Sequence, residues 1–547
     1  MKYLADLLLI LLIAITDFSS AADLPPVRVR RQPLVRLDTE IKGRREDGTI
    51  HAWVYFRDKG VDTRQFQVAL QRVESRLTKR SIERRKKRGK GDNISFLDIP
   101  VRSEYIAEVV AAGAKIRQRS RWLNAVSVSC GMDNLETISK LPFVSNIDPV
   151  MKVQRKIPET FSDSQQEAGH PSRSVADSLD YGNSLSQLEQ INCVMAHEAG
   201  FTGLGVLVLM LDTGYFKEHE SIQQDSIVAE WDFINNDEET QNEESDPWGQ
   251  HDHGTFTLST LGGYAPGSLI GPAYQARFLL AKTEMVDQEI QVEEDNFVAA
   301  LEWGDSLGAD IASSSLGYLD WYTYEDMDGN TAVTTIGVDI AISLGIVCVT
   351  AAGNEGYYDW YYIIAPADAD SVIAVGAVDS EGMIASFSSH GPTYDGRTKP
   401  EVCARGVYTF CASPSGTQEY TYVSGTSLST PLVGGAAAVV LSAHPDWTPM
   451  QVREALMMTA SQSDSPDNDY GWGIINVWDA INYESEPVLG DLNGDYMLNV
   501  TDVLLMVDFI LDPDNMSVEE AALADMNHDQ LVDVFDIILL IQIILGQ

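Results

Sequence analysis

At 547 residues the chain is too long for one compact domain and implies about two to four. Beyond the N-terminus no stretch reaches the roughly 18 consecutive apolar residues of a membrane span, so no membrane-spanning helix is expected there. The formal charge of −43 keeps such a chain soluble but strains its compact state through self-repulsion, so a salty or calcium-rich medium that screens the charge is expected.

The chain opens with Met1-Lys2, an apolar run from Leu7 to Ile15 and then Ser20-Ala21-Ala22. This is the pattern of a cleaved secretory signal over residues 1–22, and it places the product outside the cell or tethered at its surface. Charge then divides the remainder sharply. Residues 23–157 hold 29 Lys+Arg against 16 Asp+Glu, a net +13, whereas residues 158–547 hold 8 against 63, a net −55.

Within the basic segment, 23–157, His51 to Phe56 alternates as a strand and Arg64 to Arg88 has helical spacing. Trp122 to Val128 reads as a second strand, Asn134 to Lys140 as a helix, and Phe143 to Ile147 as a strand stopped before Pro149. Two strand–helix–strand groups make a small α+β domain. The run Arg84-Arg85-Lys86-Lys87-Arg88 is either a solvated helix face or a surface attracted to the acidic remainder. No aromatic platform accompanies it, so nucleic acid is not an expected partner. Residues 158–180 are polar, with the composition of an exposed, cleavable linker.

From 181 to 483 strands and helices alternate. Gly205 to Leu211 is almost wholly apolar and ends in Asp212-Thr213-Gly214, as expected for a parallel strand covered on both faces, with Asp212 at its carboxyl end. His253 precedes Gly254-Thr255 in a helical run that extends to Leu261-Gly262-Gly263. His251 has no third ligand at a sensible spacing, which argues against zinc and makes it a surface neighbour. Ala312 to Gly317 ends one strand and Ala351 to Gly356 another, the second presenting the carboxamide of Asn354. In Ser424-Gly425-Thr426-Ser427, followed by Pro431 and a run of small apolar residues, a serine stands at the mouth of a buried helix whose first turn tolerates proline.

Asp212, His253 and Ser427 follow one of the known chain orders for a serine nucleophile, its histidine base and the aspartate behind it. From Gly203 to about Ala480 the region resembles the subtilisin-like serine proteases. The resemblance rests on Asp212-Thr213-Gly214, His253-Gly254-Thr255, Ser315-Leu316-Gly317, Gly353-Asn354 and Gly425-Thr426-Ser427, with support from Phe387 to Pro392 and Lys399-Pro400-Glu401. It implies an α/β fold with a parallel sheet and helices on both faces, and a serine endopeptidase acting on protein or peptide substrates. Ser427 would be the nucleophile, His253 the base, Asp212 its orienting carboxylate, and Asn354 with the Ser427 amide the oxyanion site. Ser315, Leu316, Gly317 and Gly353 would pair with substrate backbone and line the primary pocket. Three positions depart from the family: Tyr318, where a small residue is usual and where the pocket floor would be reshaped, and Ser429 and Leu432 behind the nucleophile. The basic segment resembles a subtilase propeptide, an intramolecular chaperone and inhibitor.

After a linker at 484–489, residues 490–547 contain two repeats with oxygen ligands at loop positions 1, 3, 5, 9 and 12 and a backbone carbonyl at position 7. The first comprises Asp491, Asn493, Asp495, Met497, Asn499 and Asp502, and the second Asp525, Asn527, Asp529, Leu531, Asp533 and Asp536. Each runs into an apolar helix, Val503 to Leu511 and Ile537 to Leu545. Aspartate at position 12 and the missing entering helix resemble a type I dockerin. The resemblance implies an all-α calcium module and a cohesin-bearing partner. Calcium is the expected cofactor, with the peptidase region a second candidate site. The rival reading is a docking or adhesion component with an inactive protease-like domain, against which the intact Asp-His-Ser-Asn set argues.

Of five cysteines, Cys130 would leave with the basic segment, and the other four allow three pairings. Cys348 lies in a buried strand and reads as a free thiol, whereas Cys403 and Cys411 are close enough in sequence to pair.

Overall fold

The computed structural model describes residues 49–88, 94–150, 179–287, 292–484, 488–492, 498, 500–513 and 516–544, all within the unit Lys42–Gln547. The signal at 1–22, most of the 158–180 linker, and Asn493, Asp495, Met497 and Asn499 lie outside the described residues.

The basic segment forms an antiparallel sheet of β1 (Ile50–Phe56), β2 (Lys115–Ser120), β3 (Ala125–Cys130) and β4 (Val144–Val150) in the order β2-β3-β1-β4, with helices between its strands. The expected strand at Trp122 begins three residues later, because Trp122 is buried in the core and Asn124, at φ 49°, turns the chain into β3. The expected helical stretch 64–88 breaks into Thr63–Glu74 and Lys79–Arg88. β4 continues through Pro149 rather than stopping before it, which the edge of a sheet tolerates because no further strand needs the missing N–H.

Seven parallel strands make the central sheet: β5 (Leu207–Asp212), β6 (Ile227–Asp232), β9 (Arg277–Lys282), β10 (Ile311–Ser314), β11 (Val347–Ala351), β12 (Ile373–Val378) and β13 (Val402–Arg405). A small hairpin, β7 (Tyr264–Ala265) with β8 (Leu269–Ile270), stands apart from it. The order is β13-β12-β11-β10-β5-β9-β6. All six residues of β5 are buried: Val208 and Met210 pack on one face, Leu207, Leu209 and Leu211 on the other. That period of two feeds two separate cores, one around the Thr426–Ala443 helix and one around the Val292–Leu307 and Val333–Ser343 helices. From β5 the chain winds outward first to β6 and β9, then back through β10 to β13, so the carboxyl ends of β5 and β10 flank the switch point where a site is expected in such sheets.

The Thr426–Ala443 helix is long and apolar enough to cross a membrane, but 83% of that stretch is buried inside the protein. Its Pro431 sits at the sixth position, a turn deeper than expected. Helices Val500–Leu511, Val518–Ala524 and Val534–Ile544 close the chain around Met506, Met526 and Leu540. The middle helix was not anticipated; its signal is the reciprocal cap between Ser517 and Glu520. All five cysteines are buried free thiols, so Cys403 and Cys411 do not pair.

The basic segment meets the acidic part through buried charges. Of its basic run only Lys86 and Lys87 are solvated, while Arg84, Arg85 and Arg88 are buried. Arg84 donates to the Ala309 carbonyl (2.7 Å) and the Leu344 carbonyl (3.2 Å), at the C-terminal ends of two neighbouring helices, where the helix dipole favours a cation. Arg85 forks onto Asp98 (2.9 and 2.8 Å) and reaches Asp305 (3.1 Å), which Arg84 and Arg121 also contact. Arg88 pairs with Asp310 (2.8 Å). Removing one partner of such a set strands the others without their counter-charge. Asp305→Asn in the full-length chain should therefore cost about 3–5 kcal/mol, read as a lowered urea midpoint by tryptophan fluorescence.

Candidate active site

Asp212 is the last residue of β5 and wholly buried. Its Oδ1 accepts from His253 Nδ1 (2.7 Å) and from the Thr213 N–H (2.8 Å), and its Oδ2 accepts from Thr257 Oγ1 (2.9 Å). His253 is the second residue of the Asp252–Gly262 helix, and Thr257, one turn on, shares its face. The helix can come this close because residue 254 is glycine: a Cβ there would run into the Gly214 carbonyl and lie 3.1 Å from the Asp212 Cβ. Burial acts against a charge on His253, but the Asp212 charge and hydrogen bond outweigh it and raise the imidazole pKa above its ordinary value. Thr257 was not singled out from the sequence; its spacing of four from His253 on a helix is the signal that would have found it.

Ser427 is the second residue of the Thr426–Ala443 helix, whose N-cap is Gly425. Its N–H is one of the four at a helix start with no intrahelical acceptor. Pro431, four residues on, supplies no N–H to the Ser427 carbonyl. Ser315 Oγ donates to that carbonyl instead (2.8 Å), and Ser427 Oγ donates back to the Ser315 carbonyl (3.3 Å). Among the described residues no hydrogen bond joins Ser427 to His253, so Asp212 with His253, and Ser427 with Ser315, form two separate bonded pairs. Asn354 accepts through Oδ1 from the Thr426 N–H (2.9 Å) and Thr426 Oγ1 (3.0 Å). This fixes its carboxamide with Nδ2 on the Gly425 side, 3.8 Å from where a Cβ of Gly425 would stand.

Ser315, Leu316 and Gly317 follow β10 directly, and the N–H groups of Leu316 and Gly317 have no hydrogen-bond partner among the described residues. Gly353, at φ 113°, turns the chain after β11 and accepts through its carbonyl from the Ser389 N–H (2.9 Å). Tyr318 does not line an open pocket floor. Its ring is wholly buried and packs edge-on to Phe297 at 6.2 Å. Ser429 and Leu432 are likewise buried, Ser429 bonding the Thr426 carbonyl (3.0 Å). His251 is half-buried rather than a surface residue: it precedes the helix, accepts from the Asn242 N–H (3.2 Å) and packs on Phe216.

In the C-terminal loop, Asp525 accepts from the N–H groups of Asp529 (3.0 Å) and Gln530 (2.8 Å), and Asp529 from that of Leu531 (2.9 Å). Asn527 accepts from the Asp529 N–H (2.8 Å), and Asp533 from that of Phe535 (2.7 Å). Asp536 is wholly buried and accepts from Asn527 (3.2 Å) and Asp533 (2.8 Å). Asp502, its counterpart in the first repeat, is wholly buried and accepts from Leu492 (3.0 Å), and Asp491 is also buried. Gln530 holds φ 69° at loop position 6, where an EF-hand loop has glycine. Among the described residues of the peptidase region, one group of three carboxylates, Asp232, Asp237 and Glu243, lies within 4.8 Å.

A wholly buried carboxylate on a histidine, a serine at a helix start and an anchored carboxamide, all beside a sheet's switch point, define the class of parallel-sheet serine hydrolases. A subtilase family model matches residues 203–473, a peptidase S8 propeptide domain model described for Bacteroidota matches 51–167, and a dockerin type I model matches 489–545. Subtilisin E of Bacillus subtilis (strain 168) is 30% identical over 367 residues, 67% of this chain and 82% of that protein. Subtilisin of Bacillus pumilus is 34% identical over 304 residues, covering 55% of this chain and 98% of its own length. Serine protease AprX of Bacillus subtilis (strain 168) is 31% identical over 346 residues, 56% of this chain and 73% of that protein. The chain belongs to the subtilase family: it is a subtilisin-like serine endopeptidase with an S8 propeptide domain before the peptidase domain and a type I dockerin domain after it.

The reciprocal Ser315–Ser427 contact yields a direct test. Ser315→Ala removes the donor to the Ser427 carbonyl and should lower unfolding stability by about 1 kcal/mol, whereas Ser315→Thr, which keeps the hydroxyl, should recover most of it in the same urea titration.

Proposed function

We propose that this is an exported zymogen whose peptidase domain, about 181–483, cleaves protein substrates through Ser427, His253, Asp212 and Asn354. The observation that carries the reading is the Asp212–His253 bond at a wholly buried carboxylate. Asp212 holds the imidazole with Nδ1 protonated and Nε2 directed outward. A rotation of Ser427 away from the Ser315 carbonyl brings its hydroxyl to Nε2, which takes the proton as oxygen attacks the scissile carbonyl. The developing oxyanion is received by Asn354 Nδ2 and the Ser427 N–H. His253 then returns the proton to the leaving amine, and water hydrolyses the acyl-enzyme by the same steps in reverse. Substrate backbone adds as a strand to Leu316 and Gly317, whose N–H groups have no partner among the described residues.

The segment 23–157 is the inhibitory propeptide, released by cutting within 158–180, and the signal at 1–22 directs export. Residues 490–547 are the calcium-dependent docking module, joined through 484–489 and recognising a cohesin-bearing partner. The residues fit the ion: side-chain oxygens stand at ligand positions 1, 3, 5, 9 and 12 of the 525–536 loop, which holds no Lys or Arg, and the wholly buried Asp536 closes it. Asp525, Asn527, Asp529, Asp533 and Asp536, with the Leu531 carbonyl, would hold calcium, and Asp491, Asn493, Asp495, Asn499, Asp502 and the Met497 carbonyl a second ion. Calcium held there would neutralise carboxylates that otherwise repel one another.

A fluorophosphonate should label the wild type on Ser427 once the propeptide is gone; Ser427→Ala should take no label and lose about 10⁶ in turnover. Asn354→Ala should lose roughly 10²–10³, the loss a subtilisin suffers on losing its oxyanion asparagine. His253 acts as a base only when neutral, and its pKa is raised, so kcat/KM should fall on acidification with a midpoint above about 6.5. Asp212→Asn should move that midpoint down and cost about 10⁴ in turnover. Chelation should reduce the helical circular dichroism of the full-length chain. Asp525→Ala with Asp536→Ala should remove part of the calcium-dependent change while leaving peptide hydrolysis intact.

A further inference from the structure

The serine-protease reading of this site places a scissile carbonyl on Ser427 Oγ with its oxygen toward Asn354 Nδ2. The side chain on the acyl side of the scissile bond then enters the space between two backbone walls, Ser315 to Gly317 after β10 and Ala352 to Asn354 after β11. Neither wall carries a side chain into that space at its glycine, so its depth is set by what stands behind. Ile364 stands there. Its Cγ1 lies 2.7 Å from the point where a Cβ of Gly317 would stand, and its Cγ1 and Cδ1 both lie 3.1 Å from the corresponding point on Gly353. One side chain thus touches both walls and is itself 6% exposed.

Ile364 is not free to swing aside with its backbone. Its N–H donates to the Ala352 carbonyl on one wall (3.2 Å). The next residue, Ala365, exchanges two hydrogen bonds with Tyr318 at the end of the other (2.7 and 3.1 Å). Behind it Ile363 and Tyr318 are wholly buried. The floor is therefore bonded to both walls and backed by core, and opening it would leave buried backbone groups unpaired.

We infer that Ile364 is the specificity-determining residue of the cleavage site, closing the pocket so that the enzyme cuts after small residues: glycine, alanine and serine. A branched or aromatic side chain in that place would have to displace the Ile364 methyls from a packed floor.

The test uses the propeptide-free enzyme, its active serine counted by fluorophosphonate titration, with tetrapeptide anilides differing only in the residue before the scissile bond. Wild type should cleave after alanine about 10-fold better than after leucine and about 100-fold better than after phenylalanine in kcat/KM. Ile364→Gly should raise the phenylalanine-to-alanine ratio at least about 10-fold, and the milder Ile364→Ala should move it the same way if the glycine variant fails to fold. A titratable wild type that cleaves after phenylalanine as well as after alanine overturns the assignment of Ile364 while leaving the serine-protease reading intact. A folded variant whose ratio does not move overturns it too. A propeptide-free enzyme that takes no label defeats the protease reading, and this inference with it.

Discussion

A carboxylate at the end of a central strand, with no exposure to water, is the constraint to which the site is fitted. Asp212 could not stay there charged without partners, and it has three: a backbone N–H, a threonine hydroxyl and an imidazole. Each partner imposes a condition on the chain. Thr213 must turn immediately after the strand, the helix bearing His253 and Thr257 must approach at the distance only a glycine at 254 permits, and β5 must end at the sheet's switch point. Because Asp212 is itself shut away from water, its charge reaches the imidazole little screened, and it prevails over the burial that opposes a proton there.

The same principle governs the propeptide interface on a larger scale. Two parallel helices end side by side, each presenting unpaired carbonyls and the negative end of its dipole. Arginines from the Lys79–Arg88 helix enter that place and share Asp305 and Asp310. The net charges of the two segments foretold an attraction, but not that it would be discharged in the interior. A surplus of surface charge would have served diffusion and solubility. Buried forks with defined partners fix register instead.

What could be read from residue order was whatever depends on short-range pattern. The apolar run of β5, the glycine-flanked triad candidates and the twelve-residue acidic repeats are local patterns; β5 and the parallel sheet lie as expected, while the helices after the acidic loops start three residues earlier, at Val500 and Val534. What escaped reading depends on contacts across the fold. Ile364 carries no local mark, being one apolar residue among several, and only the meeting of the two strand ends gives it a role. Ser315 was marked for its backbone, yet its hydroxyl matters because a proline more than a hundred positions away leaves a carbonyl unbonded. Tyr318 was read as reshaping the pocket floor because it stands where a small residue is usual, and its ring is buried in the core instead. Trp122 shortened a strand for the same reason, burial prevailing over alternation.

The cysteines have a consequence for where such an enzyme can work. All five sulfurs are reduced thiols shut inside the protein, and burial raises the pKa of each, so little reactive thiolate forms. No cross-link is there for a reductant to break, and no cysteine thiolate is presented at the surface. Apolar packing and paired charges carry the fold without cross-links, so an oxygen-free medium or a thiol-containing buffer breaks no bond that holds it.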